Sequence, residues 1–119
     1  SNEIVAIAIS NEIDFGIDIQ YKTHKVFKIL NKFLSKNESK FLDKTNDLES
    51  LIKVWSAKES IYKALGKEGV SFSNDLEIDI INDKDFFRAG YYRKDNIKTK
   101  FDIDFIYIEE YIICYAKKS

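Results

Sequence analysis

Proline and methionine are absent from the 119 residues, cysteine, histidine and tryptophan occur once each, and glycine occurs four times. The lone thiol, Cys114, excludes an internal disulfide and excludes Cys-based zinc sites, which need several thiolates. A reducing, cytoplasmic setting is expected. No apolar run approaches the ~20 residues that span a bilayer, and no basic segment followed by an apolar stretch opens the chain like a signal peptide. By this test it neither spans a membrane nor is secreted. The 19 Lys and Arg against 20 Asp and Glu leave a net charge of -1, so no bulk field draws the molecule onto nucleic acid or an anionic membrane. Charge-driven binding must therefore be local. The missing methionine is expected of a processed or truncated piece of a longer chain. What is present is 45% hydrophobic, 33% charged and 14% aromatic residues, the composition of one folded domain over residues 1–119.

Residues 4–9 (IVAIAI) form a continuous β-branched and alanine run, the pattern of a strand buried on both faces. Ser10, Asn11 and Glu12 break it. Phe15, Ile17 and Ile19 then alternate with Gly16, Asp18 and Gln20, which predicts a second strand hairpinned to the first. Asp18 and Gln20 fall on the face opposite the three apolar side chains. Over 25–34, Val26, Phe27, Ile29, Leu30, Phe33 and Leu34 follow helical spacing with Lys25, Lys28 and Lys32 on the other side, predicting one amphipathic helix. Ser35 followed by Glu38 has the spacing of a capping box and starts a short helix carrying Phe41 and Leu42. Asn46 with Glu49 repeats that signal ahead of a long helix over about 47–65 that Gly66 ends. Alternating segments around 76–80, 86–92, 103–107 and 111–116 predict three or four more strands, with turns at Asn82-Asp83 and Lys94-Asp95-Asn96. The expected fold class is α+β, an antiparallel sheet with helices inserted after its first hairpin.

One carboxylate in the long helix is out of place. At about 100° per residue, Leu48, Leu51, Ile52, Trp55 and Tyr62 share a stripe expected to face the sheet, and Glu59 falls inside it. An unpaired buried carboxylate costs several kcal/mol, so Glu59 must be protonated, paired with a base or bound to a metal. Lys58 and Lys63 flank it on the two sides of the stripe. A structural salt bridge satisfies this arrangement. So does a site in which Asp18, on the polar face of its strand, supplies a second ligand, although an acid in that position is ordinarily just solvated. Two carboxylates with a lysine are what a Mg²⁺–phosphate site requires, the carboxylates and phosphates sharing the metal and the lysine neutralising a phosphate oxygen.

These residues resemble motifs of the 4'-phosphopantetheinyl transferases. Gly16-Ile17-Asp18-Ile19-Gln20 is similar to that family's first motif, G-[VI]-D-[IV]-[DE], and residues 55–66 (WSAKESIYKALG) to its second, [FW]-x-x-K-E-[SA]-x-x-K-x-x-G. Between them, Lys32-Phe33-Leu34-Ser35 with Glu38 is similar to R-F-F-S-x-x-E. The chain looks more like the C-terminal half of the long, two-half form, the surfactin-synthetase-activating type, than like the short homotrimeric holo-acyl-carrier-protein synthases. In both forms the coenzyme A cleft lies between two such units, so one 119-residue unit supplies one wall of it.

The resemblance implies that Asp18 and Glu59 bind Mg²⁺ together with the coenzyme A pyrophosphate, that Lys63 contacts phosphate, and that Lys58 belongs to the same coenzyme-binding motif. Gln20 stands where many long-form members have a third acidic ligand, and offers the metal an oxygen without charge. The family's S-H-S motif is missing, and His24, the only histidine, reads as a surface residue. The implied reaction is attack of a carrier-protein serine hydroxyl on the β-phosphate of coenzyme A, releasing 3',5'-ADP, with Glu59 helping to deprotonate the serine. The implied partner is an acidic acyl or peptidyl carrier protein, as in fatty-acid synthesis, for which Lys25, Lys28, Lys32, Lys36 and Lys40 form the expected docking surface. A homo-oligomer, or a missing N-terminal half, is expected to complete the cleft. Gln20 and the missing histidine motif also fit a non-catalytic relative that binds coenzyme A or a carrier protein without transferring anything.

Overall fold

The computed structural model describes residues 15–42, 47–80 and 87–119. The first alternating segment forms β1 (Phe15–Tyr21), followed by a 3₁₀ turn (His24–Lys28), α1 (Leu30–Phe33), α2 (Lys36–Phe41) and the long α3 (Leu48–Leu65). Four strands complete the chain: β2 (Leu76–Ile78), β3 (Ala89–Lys94), β4 (Ile97–Ile108) and β5 (Tyr111–Lys118). They join β1 in one five-stranded sheet of order β1-β5-β4-β3-β2, every neighbouring pair antiparallel. This is the α+β architecture expected from the sequence. The strand expected at 4–9 with its hairpin, the Asn46 cap and the turn at Asn82-Asp83 lie outside the described residues.

The β3–β4 turn forms where the sequence placed it. Asp95 and Asn96 have φ of 53° and 67°, the left-handed pair of a two-residue turn that matches strand twist. Gly66 likewise ends α3 in the left-handed conformation, φ 61°, its N–H reaching back to the Tyr62 carbonyl. The Ser35 capping box is complete: Ser35 Oγ accepts the Glu38 N–H at 3.1 Å, and Glu38 Oε1 accepts the Ser35 N–H at 2.9 Å.

Two expectations are corrected. The single helix over 25–34 is instead the 3₁₀ turn and α1, separated at Ile29 with φ −124° and ψ 17°. β-branched Val26 and Ile29 resist helix propagation, and the break lets Val26 and Phe33 enter the core at separate points. The second correction concerns which face of α3 is buried. Leu51 and Ile52 are buried as expected, whereas Leu48, Trp55 and Tyr62 are only half-buried. Burial continues through Lys53, Val54, Ser56, Ala57, Lys58, Ser60 and Ile61. The core between helix and sheet then includes Leu51, Val54, Ala57 and Ile61 with Phe101, Ile103, Ile112, Cys114 and Ala116 of the sheet. A hydrophobicity stripe misses this rotation because the residues that meet β1 are small rather than apolar. Trp55 and Tyr62 are too large for that contact and pack on the flank, against Phe72, with ring centroids 5.5 and 5.4 Å away.

Gly16 shows how close the contact is. A Cβ there would lie 1.9 Å from the Ser60 carbonyl oxygen and 2.8 Å from the Ala64 nitrogen, both backbone atoms that cannot swing aside. Gly16→Ala is therefore expected to destabilise the fold by about 1–3 kcal/mol or more through overpacking. Denaturant unfolding checks this, and a wild-type midpoint would show that β1 and α3 are further apart than described.

Candidate functional site

The close approach at Gly16 carries Asp18, on the same face of β1, against α3 while leaving it only 4% exposed. A buried carboxylate needs donors, and Asp18 has them at both oxygens. Oδ2 accepts the Ser56 hydroxyl and the Gln20 amide nitrogen, each at 2.8 Å. Oδ1 pairs with Lys63 Nζ at 3.0 Å, and the same ammonium donates to the Ile17 carbonyl at 3.1 Å. Ser56 and Lys63 lie seven residues apart on α3, two helical turns, so both reach one strand residue.

Glu59 stands between Ser56 and Lys63 in sequence, on the half-buried flank of α3 rather than in the core as its stripe position suggested. Its carboxyl is held above the ordinary range, first by desolvation and second by the negative charge of Asp18, with Lys63 partly opposing. The structure thus groups Asp18, Gln20, Glu59 and Lys63. Ser56, which sequence reasoning missed, completes the arrangement as a donor to Asp18. Its signal was only its position, one turn before Glu59 and in a motif rich in small residues.

Lys58 is not in this group. Its ammonium is fully buried, pairs with Glu38 Oε1 at 2.8 Å and donates to the Phe33 and Phe72 carbonyls. Burial pulls its pKa below the ordinary lysine value, against the opposing charge of Glu38. Gln20 is close to Asp18, but through its donor end, so its amide would have to turn over to offer an oxygen to a metal. His24 is exposed, as expected, and stacks on Phe27. Lys25, Lys28, Lys32, Lys36 and Lys40 are all exposed. Cys114 pairs with Asp18 across the β1–β5 ladder, and burial pushes its thiol up to about 12, so it is inert as a nucleophile at neutral pH.

Among the described residues, no group of three or more His, Cys, Asp or Glu converges. The Asp18–Glu59 pair is a smaller donor set, oxygen only, with Glu59 raised first by desolvation and second by the charge of Asp18. That chemistry fits Mg²⁺, which is commonly held by one or two carboxylates and filled out by phosphate oxygens and water. Beside Gln20, a cleft of about 250 Å³ opens between Tyr21, Val26, Ile29, Ile52 and Trp55.

A strand-borne acid and a helix-borne acid and lysine are thus joined in one α+β unit, and the sequence compares accordingly. The sequence model of the 4'-phosphopantetheinyl transferase superfamily matches residues 14–116, and the chain belongs to that superfamily. Its fold is shared with a solved structure, the holo-ACP-synthase from Plasmodium yoelii, at 22% identity and TM-score 0.61 over 87% of this chain and 91% of that one. Comparison with curated proteins returns no match. Membership of the superfamily supports phosphopantetheinyl transfer in general.

The raised Glu59 pKa has a sign that thermal melts can read. A carboxyl whose folded pKa lies above its unfolded value binds more protons when folded, so stability falls as pH rises from the ordinary carboxylate range through the folded pKa. In EDTA, Glu59→Gln is expected to melt higher than wild type at pH 7, with the advantage shrinking toward pH 4. A lower melting temperature at pH 7 would mean that the Glu59 charge stabilises the fold.

Proposed function

We propose that this chain catalyses Mg²⁺-dependent transfer of the 4'-phosphopantetheine arm from coenzyme A to a serine of an apo acyl or peptidyl carrier protein. The observation that carries this reading is the convergence of Asp18, Glu59 and Lys63 in a member of the superfamily. Asp18 and Glu59 would hold Mg²⁺, which supplies neutralisation of the pyrophosphate charge. Lys63, half-exposed at the edge of the pair, is free to swing from Asp18 toward a phosphate oxygen and act there as a point charge. Glu59 takes the proton from the carrier serine hydroxyl, directly or through a water. The serine oxygen then bonds to the β-phosphorus, the bond from that phosphorus to the bridging oxygen breaks, and 3',5'-ADP leaves with the electron pair.

The exposed lysines from Lys25 to Lys40 support docking of an acidic carrier, because complementary charge speeds encounter. Assembly of units is supported by the sheet face turned away from α3. There Ile19, Tyr21, Ile108 and Tyr111 are 59%, 54%, 47% and 46% exposed, and the register sets Ile108 and Tyr21 each opposite Tyr111. Neighbouring apolar side chains of this kind mark an interaction surface. A second unit, a copy of this chain or an N-terminal half, would cover this face.

One observation favours the non-catalytic reading. Gln20 occupies Asp18 Oδ2 with an amide nitrogen, and brings no charge to the metal. Coenzyme A binding that is unaffected by Mg²⁺ would support that alternative.

The direct test is intact mass spectrometry of an apo carrier protein after incubation with the chain, coenzyme A and Mg²⁺. A gain of one phosphopantetheine arm is expected, lost with EDTA and reduced at least 100-fold by Glu59→Gln, in line with removal of a general base. Full activity of Glu59→Gln would sink the role assigned to Glu59. Sedimentation velocity is expected to find an oligomer that Ile19→Lys dissociates; a wild-type monomer would remove the outer sheet face from the argument.

A further inference from the structure

Lys58 and Glu59 are adjacent in the motif but about 100° apart on the helix, and their side chains have different surroundings. A lysine ammonium has three N–H donors. In Lys58 all of them are committed: to Glu38 Oε1 at 2.8 Å, to the Phe33 carbonyl, and to the Phe72 carbonyl at 2.7 Å. Glu38 is equally committed, since Oε1 also accepts the Ser35 N–H at 2.9 Å and Oε2 accepts the Ile78 N–H at 2.7 Å. Ser35 Oγ donates in turn to Glu77 at 2.9 Å. Both members of the ion pair are 0% exposed. One side chain of α3 therefore ties together the end of α1, the start of α2, the chain at Phe72 and strand β2.

Two of these ties bear on the site. The rings of Phe33 and Phe72, whose carbonyls Lys58 holds, pack on Trp55 at 5.3 and 5.5 Å between centroids. Phe72 also meets Tyr62 at 5.4 Å. Trp55 lies one turn before Glu59 and Tyr62 nearly one turn after it. The aromatic row thus braces the flank of α3 on which Glu59 sits, and Lys58 fixes the backbone of two of its members from within.

We infer that Lys58 is a positioning residue: through Glu38, Phe33 and Phe72 it locks the rotation of α3 that sets Glu59 beside Asp18, and it makes no contact with substrate phosphate. The two lysines of the motif divide the work, Lys63 at the carboxylate pair and Lys58 in the scaffold. This rests on the transferase reading only for its kinetic test.

Removing one partner strands a buried charge and can unfold the chain, so the informative variant removes both charges together. Lys58→Met combined with Glu38→Gln does so, and the amide keeps an acceptor for the Ile78 N–H. With the double variant shown to be folded by circular dichroism, kcat for transfer is expected to fall at least tenfold while KM for coenzyme A stays within twofold. Mn²⁺ affinity, read by electron paramagnetic resonance as a probe of the Asp18–Glu59 pair, is expected to weaken at least threefold. Wild-type kcat and KM would overturn the inference, and so would a tenfold rise in KM with kcat retained, which would make Lys58 a coenzyme A contact. If the wild-type chain transfers nothing, the transferase reading falls and Mn²⁺ decides the role of Lys58. Weaker binding by the variant upholds the inference, equal binding overturns it, and no binding by the wild-type chain overturns both.

Discussion

Where β1 crosses α3, backbone lies against backbone with no room for a side chain between them, and the site depends on that contact. Gly16 provides it on the strand; Ser60 and Ala64 provide it on the helix. Because the strand alternates, the next residue on that face is Asp18, which is brought beneath Ser56 and within reach of Lys63. A bulkier residue at any of these small positions would lift the strand and separate the acid from its partners. The glycine and serines of the two motifs are thus as much a part of the site as its charges.

The electrostatics divide into two regions with different jobs. On one side of α3, Asp18 is neutralised by hydrogen bonds and Lys63, while Glu59 is left raised by burial and by its neighbour's charge. This is an arrangement that a bound cation relieves. On the other side, Lys58 and Glu38 are buried with every donor of the ammonium satisfied. A pair of this kind adds little net stability over an apolar replacement but is costly to break, which makes it a means of specifying geometry. Nearby, Glu77 shares in the cost: burial and the charge of Glu38 raise its carboxyl, with Ser35, Lys58 and Arg93 opposing.

Much of the fold was legible because its signals are local. The β1 strand, the Ser35 capping box, the Gly66 stop and the Asp95-Asn96 turn each depend on a few neighbouring residues and form where read, although in β1 the face of Gly16 and Asp18 is the buried one and Ile19 lies outside. The helix over 25–34 was misjudged because spacing alone cannot report a break at Ile29, where the segment turns to fill two places in the core. The α3 stripe was misjudged for a related reason. Hydropathy rewards Trp55 and Tyr62 and ignores Ser56 and Ser60, yet close packing against β1 selects size before polarity.

From the sequence alone come the α+β class, the two motifs, and the identity of Asp18, Glu59 and Lys63 as the residues to watch, since residue type and periodicity are carried by the chain itself. Tertiary structure decided which charges meet. Lys58 and Lys63 are five residues apart in one motif, and no local rule separates them. Only the placement of Glu38 on one side of α3 and Asp18 on the other, set by segments 20 and 45 residues away in sequence, sends one lysine into the scaffold and the other to the site.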